Sequence, residues 1–134
     1  MVNVKSTGIP LSKTLWVRWG MVDNKVVGLK GEVGAKKFLE DKGYKILECN
    51  YKNKIGEIDL IAKDNNCLVF VEVKARESLR FGYPREAVNF YKQQKIRRVA
   101  MGYLKHKGLY DKINVRFDVI DILGDKITHI ENAF

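Results

Sequence analysis

The sequence GEIDLIAKDNNCLVFVEVK, residues 56–74, consists of two apolar runs of strand length separated by the polar break KDNN at residues 63–66. Asn and Asp tolerate the positive φ angles that tight turns require. A polar break of this kind between two apolar runs therefore predicts a β-hairpin. A two-residue loop at 65–66 and a wider loop over 64–67 give the same register, so the pairing does not depend on the turn type.

The register of this hairpin places two carboxylates side by side. Because alternate side chains of a strand share a face, Asp59 is predicted to lie directly opposite Glu72. Directly opposed like charges destabilise a sheet, and a divalent cation between them would remove the repulsion. Glu72 also lies inside the apolar run Val69–Val73, and buried acids are rare unless they are paired or bind a metal. The hairpin therefore predicts a metal site.

The acidic pair suits the chemistry of phosphodiester hydrolysis. That reaction needs an activated water and neutralisation of phosphate charge, which one or two Mg²⁺ ions supply, and Mg²⁺ prefers carboxylate, carbonyl and water oxygens. Asp59 and Glu72 provide carboxylates, and Val73 adds a carbonyl oxygen if that group points toward them. Lys74, on the same face as Glu72, places an ammonium beside the water or the phosphate. Glu32, reaching from the helix before the hairpin, completes the ligand set directly or through a water.

A purely structural explanation of the same residues stays open at this point. Acid–lysine pairs on strands are usually solvated ion pairs that contribute little to stability, and the register puts Glu57 opposite Lys74 as such a pair. Glu32 falls in the first turn of its predicted helix, where the helix dipole favours an acid without any metal. Spacing alone does not choose between these interpretations.

Length and charge restrict the kind of protein. The 134 residues suit one globular domain, which we place at residues 27–134 after an N-terminal extension at 1–26. The 25 Lys+Arg against 16 Asp+Glu give a net charge of +9, which favours a polyanionic partner: nucleic acid first and an anionic membrane surface second. No apolar run approaches the ~20 residues needed to span a bilayer.

The two cysteines show neither a metal-ligand spacing nor a disulfide framework. Both Cys49 and Cys67 fall in predicted strands, where a cysteine is most often a small buried apolar side chain. We therefore expect a cytoplasmic protein with free thiols.

The remaining pattern predicts an α/β fold with a central mixed β-sheet of about five strands flanked by helices. Helices are predicted over residues 29–42, ending at Gly43, and from Pro84 to about Lys107, ending at Gly108. A long helical crossover between the third and fourth strands favours parallel pairing of those two strands. The strands are predicted at residues 44–50, within the hairpin, at 115–123 and at 126–130.

The second predicted helix is strongly basic. Between Arg85 and Lys107 there are seven Lys or Arg residues and one acid, Glu86. The apolar stripe of this helix is predicted to face the core and consists of Ile96, Val99, Ala100 and Tyr103. This leaves the basic side chains of the helix available for phosphate groups. The predicted nucleic-acid contacts are Arg76 and Arg80 in the loop before the helix, and Lys92, Lys95, Arg98 and Lys105 on it.

The order of the acids resembles a known group of nucleases. An acid on the first helix, then Asp, then Glu-x-Lys on adjacent strands is similar to the restriction-endonuclease-like superfamily. The resemblance is closest to the YraN family of bacterial proteins, often described as Holliday-junction-resolvase-like, and it covers about residues 27–122. The combination of residues 56–59 with 71–74 is its most specific part. The matching residues are Gly31-Glu32, Gly43-Tyr44, Asn50-Tyr51, Gly56 to Ala62, Phe70 to Lys74 with Arg76, Phe81-Gly82, and Arg116-Phe117-Asp118-Val119.

This resemblance implies a restriction-endonuclease-like fold and metal-dependent cleavage of DNA, including branched DNA such as Holliday junctions. It implies Mg²⁺ or Mn²⁺ as the cofactor and Glu32, Asp59, Glu72 and Lys74 as the functional positions. Cleavage of a junction needs two nicks, so a two-fold homodimer is expected for that substrate.

Two other functions remain open from the sequence. A fold shared with nucleases can host proteins that only bind, so the basic helix and the loop before it are also consistent with a non-catalytic nucleic-acid-binding module. Alternatively, the segment with Trp16 and Trp19 docks on another protein during assembly.

Overall fold

The computed structural model describes residues 24–76 and 88–134, with side chains in the first range described from Gly31 onward. The predictions for Trp16, Trp19, Arg80 and Pro84 lie outside these ranges. Within them, no helix is long and apolar enough to cross a membrane. The elements are α1 (Asn24–Asp41), β1 (Lys45–Lys52), β2 (Glu57–Asp64), β3 (Cys67–Arg76), α2 (Phe90–His106), β4 (Asn114–Leu123) and β5 (Lys126–Ile130).

The strands form one mixed sheet in the order β1-β2-β3-β4-β5. The β3–β4 pair is parallel and the other pairs are antiparallel. Helix α1 packs on one face and α2 on the other, so the core has two layers. This arrangement confirms the predicted α/β fold with a five-stranded mixed sheet and a parallel crossover.

Helix α1 begins at Asn24, five residues before its predicted start, and ends where the sequence predicted. Its buried side chains are Ala35, Phe38 and Leu39. Gly43 has φ +95°, and the N–H of Tyr44 donates to the Leu39 carbonyl at 3.0 Å. This pair of features is the Schellman ending that a glycine after the helix favours.

Helix α2 begins at Phe90 after the extended residue Asn89, so the helix does not continue backward through Asn89, and Pro84 itself lies outside the described residues. The Asn89 side chain caps the helix by accepting a hydrogen bond from the Lys92 N–H at 2.9 Å. An Asn cap satisfies one of the orphan donors of the first turn, and this signal was overlooked in favour of proline. The buried stripe is the predicted one, with Leu104 added: Ile96, Val99, Ala100, Tyr103 and Leu104.

The β2–β3 hairpin has the predicted register. Asn65 has φ 54°, and the ladder runs from the pair Asp64–Cys67 to the pair Leu60–Val71. The ladder ends at Leu60–Val71, so it includes neither the predicted Asp59–Glu72 pair nor the predicted Glu57–Lys74 pair.

The two cysteines are free, as predicted, but the expectation that both are buried is wrong. Cys49 is exposed and Cys67 is half-buried. Strand β1 is an edge strand, so the outer face of residues such as Cys49 is not covered by a neighbouring layer.

A buried ionic network joins β4 to β5. The Asp118 side chain is fully buried and accepts hydrogen bonds from Arg116 through Nε and Nη2, both at 2.9 Å. It also accepts from His129 Nε2 at 2.7 Å and from the Asn132 N–H at 3.0 Å. Burial alone would raise the pKa of Asp118, but the bonds from His129 and Arg116 outweigh it and hold the pKa below its ordinary value. This network is therefore fully paired, and it accounts for the Arg116–Val119 motif structurally.

Helix α1 approaches β3 very closely at Gly31. A Cβ atom built on Gly31 would lie 2.5 Å from the Cβ of Ala75. Only glycine permits this distance, and the contact fixes the neighbouring Glu32 close to the sheet.

Replacing Gly31 with Ala should therefore push the helix away from the sheet. We expect Gly31→Ala to lower the free energy of unfolding by about 1–3 kcal/mol through overpacking, measured by urea denaturation. Alanine alone is a better helix former than glycine by about 1 kcal/mol, so a net gain in stability would contradict the close contact. Adding Ala75→Gly to the variant should restore part of the loss.

Candidate functional site

The site lies where β2 and β3 stop pairing through their backbones. Beyond the pair Leu60–Val71, the Asp59 carboxylate accepts a hydrogen bond from the Val73 N–H at 2.8 Å. Ile58 packs in the α2 layer and Leu60 in the α1 layer, although they are two residues apart. Strand β2 therefore rotates at Asp59, which simple alternation does not predict. The rotation brings the carboxylate of Asp59 to the gap between the strands.

Strand β1 is also irregular at this point. Asn50 lies between the paired residues Cys49 and Tyr51, across from Asp59, and has φ 53°. A positive φ at a non-glycine residue is uncommon and favours Asn. The sequence did not lead us to assign Asn50 a role. The signal that could have identified it is the position of an Asn just before the polar turn at residues 52–55.

Glu72 is buried in the central strand and paired with a lysine from α2. Only 6% of Glu72 is exposed. Its Oε2 lies 2.5 Å from Nζ of Lys92, in the first turn of the helix. Lys92 was predicted to contact phosphate, and the structure instead places its ammonium on the candidate metal ligand. A buried carboxylate requires such a partner.

Glu32 on helix α1 lies near the acids of the hairpin. Its pKa is raised by burial and by the charge of Glu57, while hydrogen bonding with Asn50 and with Asp59 opposes the rise. The Glu32 carboxyl is therefore close enough to Asp59 to interact directly. Glu57, which was interpreted only as part of a surface ion pair, belongs to the same acidic cluster.

Burial and nearby carboxylates together raise the pKa of Asp59 to about 8. Burial is the largest cause, the charges of Glu72 and Glu32 act in the same direction, and the hydrogen bond from the Val73 N–H opposes the rise. Acids with raised pKa values in a cleft are typical of functional sites.

Lys74 and Arg76 lie on the β4 side of this cluster. Lys74 pairs with Asp121 in the parallel ladder. Burial raises the pKa of Asp121, and the charges of Arg76 and Lys74 oppose this rise. Arg76 Nε lies 3.1 Å from the Asp121 carboxylate, and only 11% of the Arg76 side chain is exposed. Arg76 therefore forms an ion pair with a buried acid. Asp121 was missed because it lies in an apolar run, DVIDIL, where its neighbours indicated only a core strand.

The acids open into a cleft that is basic on its other side. We call it the acid cleft. It has a volume of about 400 Å³, and of the predicted phosphate contacts it includes Lys92 and Lys95. Arg98 and Lys105 are exposed elsewhere on α2, and Arg80 lies outside the described residues. The cleft is lined by residues 52–57 and by Asp59, Glu72, Lys92 and Lys95.

The donor set of the acid cleft fits a hard divalent cation. Asp59, Glu72 and Glu32 offer only carboxylate oxygens, and their mutual repulsion is the kind that a cation relieves. In the two described stretches, however, no three acidic, histidine or cysteine side chains are already arranged around one metal position. Glu72 is engaged by Lys92, so a cation would compete with that ammonium.

The raised pKa of Asp59 predicts a pH dependence of stability. The folded state holds the proton on the Asp59 carboxyl more tightly than the unfolded chain does. The contribution of this protonated carboxyl to the free energy of unfolding is therefore greatest at acid pH and is lost as pH rises from about 4 to about 8. We expect Asp59→Asn to flatten this decline and to be more stable than wild type above pH 8 by an amount on the order of a few kcal/mol.

Urea unfolding in EDTA between pH 5 and pH 8.5 measures the effect. The exposed residue Asp41 provides a matched control, and Asp41→Asn should keep the wild-type pH profile. A parallel decline in wild type and Asp59→Asn would show that Asp59 is not the group responsible.

Comparison with known proteins places the chain in a bacterial family. A model described as "Uncharacterised protein family UPF0102" matches residues 31–122. A UPF0102 protein of Alkaliphilus oremlandii is 51% identical over 116 residues, covering 83% of this chain and 99% of the relative. One from Clostridium beijerinckii is 50% identical over 117 residues, with 83% and 94% covered, and one from Thermodesulfovibrio yellowstonii is 51% identical over 108 residues, with 81% and 95% covered. The chain therefore belongs to the UPF0102 family.

Proposed function

We propose that this protein is a metal-dependent endonuclease that hydrolyses phosphodiester bonds in DNA. The observation that carries the proposal is the convergence of Glu32 with Asp59 and Glu72 where two strands separate. Asp59 and Glu72 line a cleft whose other side is basic. Carboxylates that face a phosphate backbone weaken binding unless a cation intervenes. Acids and lysines in one cleft therefore favour chemistry on a phosphate over simple binding.

Each acid would have a role in holding the cation. Mg²⁺ or Mn²⁺ would polarise a phosphoryl oxygen and lower the pKa of a bound water. Asp59 and Glu72 would hold the ion, with Glu32 as a direct or water-bridged ligand. The Val73 N–H points to Asp59, and the N–H and C=O of a strand residue face the same neighbour. Its carbonyl is therefore also directed toward the gap and is proposed as a fourth oxygen donor.

The lysines would handle the phosphate. Lys74 lies on β3 two residues after Glu72, on the same face of the strand, and we assign its ammonium to the attacking water or the scissile phosphate. Lys95 borders the cleft, and its stem packs against Gly56, where a Cβ would lie 3.2 Å from Cε of Lys95. Phe90 and Tyr91 are 72% and 71% exposed beside Lys92. Exposed aromatic rings of this kind suit stacking on unpaired bases.

The finer identity follows from the resemblance to the YraN family and to restriction-endonuclease-like nucleases. On that basis the substrates include branched DNA such as Holliday junctions, and the active form on a junction is a two-fold homodimer. The free thiols of Cys49 and Cys67 are consistent with the cytoplasm as the location.

A second candidate is a non-catalytic nucleic-acid-binding module. The observation that favours it is the pairing of Lys92 with Glu72, because an ammonium can neutralise the buried acid without any metal. The two functions differ in the effect of divalent ions. A binding module would hold DNA equally well in EDTA and in Mg²⁺, and would leave every substrate intact.

Thermal unfolding tests the metal site directly. Mg²⁺ or Mn²⁺ should raise the melting temperature of the wild type by binding the folded state, which at 100 times Kd corresponds to about 2.7 kcal/mol. Asp59→Asn should lose this increment. If wild type and Asp59→Asn show equal shifts, the ion binds elsewhere and the assignment of this pair is wrong.

Cleavage assays separate chemistry from binding. Incubation with Mg²⁺ or Mn²⁺ and a panel of branched, duplex and single-stranded DNA should give cleavage by the wild type. Lys74→Ala should remove most cleavage and keep DNA affinity near the wild-type value, since one ammonium contributes little to a broad phosphate interface. Lys95→Ala with Arg98→Ala should do the reverse, weakening binding and flattening its salt dependence.

The comparison of these variants also identifies a wrong assignment. If Lys74→Ala loses affinity as severely as the double variant, Lys74 is a phosphate contact and has no catalytic role. If the wild type cleaves none of the substrates with either metal, the endonuclease proposal fails.

A further inference from the structure

A second groove borders the acid cleft across a shared wall. The wall is the turn at residues 52–55, which lines both depressions. The second groove, which we call the basic groove, has a volume of about 570 Å³. On its far side it is lined by the C-terminal half of α2, whereas the acid cleft borders the N-terminal half of the same helix. Its remaining lining residues are Glu48, Tyr51, Gly102, His106 and Lys107.

The charges of the basic groove are mostly positive. It contains Lys52, Lys54 and Lys107 against the single acid Glu48. All three lysines are exposed, and none takes part in an ion pair between residues of the described parts of the chain. The ammonium of Lys107 rests over the Tyr103 ring at 5.8 Å. Such a groove is suited to a ligand that carries repeated negative charge.

The turn between the two grooves is fixed to α2. Asn53 Oδ1 accepts from the N–H of Ile55 at 2.9 Å, and Asn53 Nδ2 donates to the Val99 carbonyl at 3.3 Å. At Gly102 a Cβ would lie 3.0 Å from Asn53 Nδ2, so this position of the helix leaves room for the turn. Lys52 and Lys54 are therefore held at a defined distance from the acids and do not sit on a free loop.

We propose that the basic groove binds the phosphate backbone of the same nucleic-acid strand as it leaves the acid cleft. The proposal rests on the proposed function for the identity of the polyanion, and it adds a path that the candidate site does not include. From Lys95 to Lys107 the helix advances about 18 Å at 1.5 Å per residue. One strand of duplex DNA carries one charge per about 3.4 Å of helix axis, and the phosphates of an extended single strand lie farther apart, so this distance spans at most about five phosphates.

The shape and position of the groove favour a strand over other anionic ligands. A lipid surface is flat and would be met by a broad basic face, whereas these lysines line the walls of a depression. An acidic peptide would account for the lysines but not for the continuity with the acid cleft across one turn. Lys52, Lys54 and Lys107 were not among the predicted contacts, because Lys52 and Lys54 are distant from the basic helix in sequence.

Binding of single-stranded DNA of two lengths tests the path. The probes are fluorescein-labelled oligothymidylates of about 20 and about 4 nucleotides, since single-strand sites of this kind cover about 4–16 nucleotides. Anisotropy titrations of the full chain in EDTA exclude cleavage. The test variant is Lys54→Ala with Lys107→Ala. The matched control is Lys36→Ala with Lys126→Ala, which removes the same charge from exposed positions on α1 and β5.

We expect the test variant to bind the long probe on the order of tenfold more weakly in 0.1 M salt, with a salt slope smaller by about 1.4 for two lost contacts. The short probe should lose less affinity for the test variant than the long probe does, because Lys54 also lines the acid cleft whereas Lys107 lines only the basic groove. The control should bind both probes nearly normally. The melting temperatures of both variants should match the wild type, since the replaced side chains are exposed.

Three results would overturn the path: equal affinities of test variant and control for the long probe, an equal loss for the short probe, or no binding of either probe by the wild type. The endonuclease proposal and the proposed strand path can be disproved independently. Cleavage by the wild type with unchanged binding by the test variant removes only the path. Loss of long-probe binding in the test variant supports the path even if the wild type cleaves nothing.

Discussion

The parallel pairing of β3 with β4 is the constraint from which the rest of the structure follows. The ladder runs through ten residue pairs, from Cys67–Asn114 to Arg76–Leu123. Parallel neighbours cannot be joined by a tight turn, so the chain must cross one face of the sheet before β4 begins. Helix α2 lies in that crossover and covers the face of the sheet from which the Glu72 side chain projects. The same pairing makes β3 the central strand, which explains why an acid in it is buried at all.

The sheet buries acids in two different ways, and the difference supports a functional role for one of them. Asp118 receives bonds from an arginine, a histidine and a backbone N–H, and its pKa falls. Asp59 receives one backbone bond while two acids lie close to it, and its pKa rises. A protein that needed only to stabilise Asp59 would surround it with donors, as it does for Asp118. The proposed cation would relieve the repulsion between Asp59 and its neighbouring acids.

Lys92 connects the two interpretations of the site. In the described structure its ammonium supplies the positive charge that Glu72 requires. Phosphate and carboxylate compete for the same ammonium, and a cation competes with it for the carboxylate. In the proposed function this pair would link metal binding to phosphate binding electrostatically, because release of Lys92 from Glu72 would free its ammonium for a substrate oxygen. The Asn89 cap places Lys92 in the first turn, where this reach to the sheet is possible.

The sequence by itself determined the elements and the pairing that depend on short-range periodicity. Period-two alternation and an Asn-rich turn specified the register of the hairpin from Asp64–Cys67 to Leu60–Val71. The predicted direct pairing of Asp59 with Glu72 lies just beyond the point where this ladder ends. The stripe at Ile96, Val99, Ala100 and Tyr103 likewise specified which face of α2 is buried. The UPF0102 assignment agrees with this, because the matched region contains all of these segments.

Only the tertiary structure decided how residues distant in the chain meet. The contact of Gly31 with Ala75, the pairing of Lys92 with Glu72 and the shared wall between the two grooves join segments tens of residues apart. Local pattern carries no information about such contacts, because the relative placement of helices and strands is set by packing over the whole core. The rotation of β2 at Asp59 belongs to the same class. It results from the gap between strands that Asp59 itself bridges, and alternation alone predicts a regular strand there.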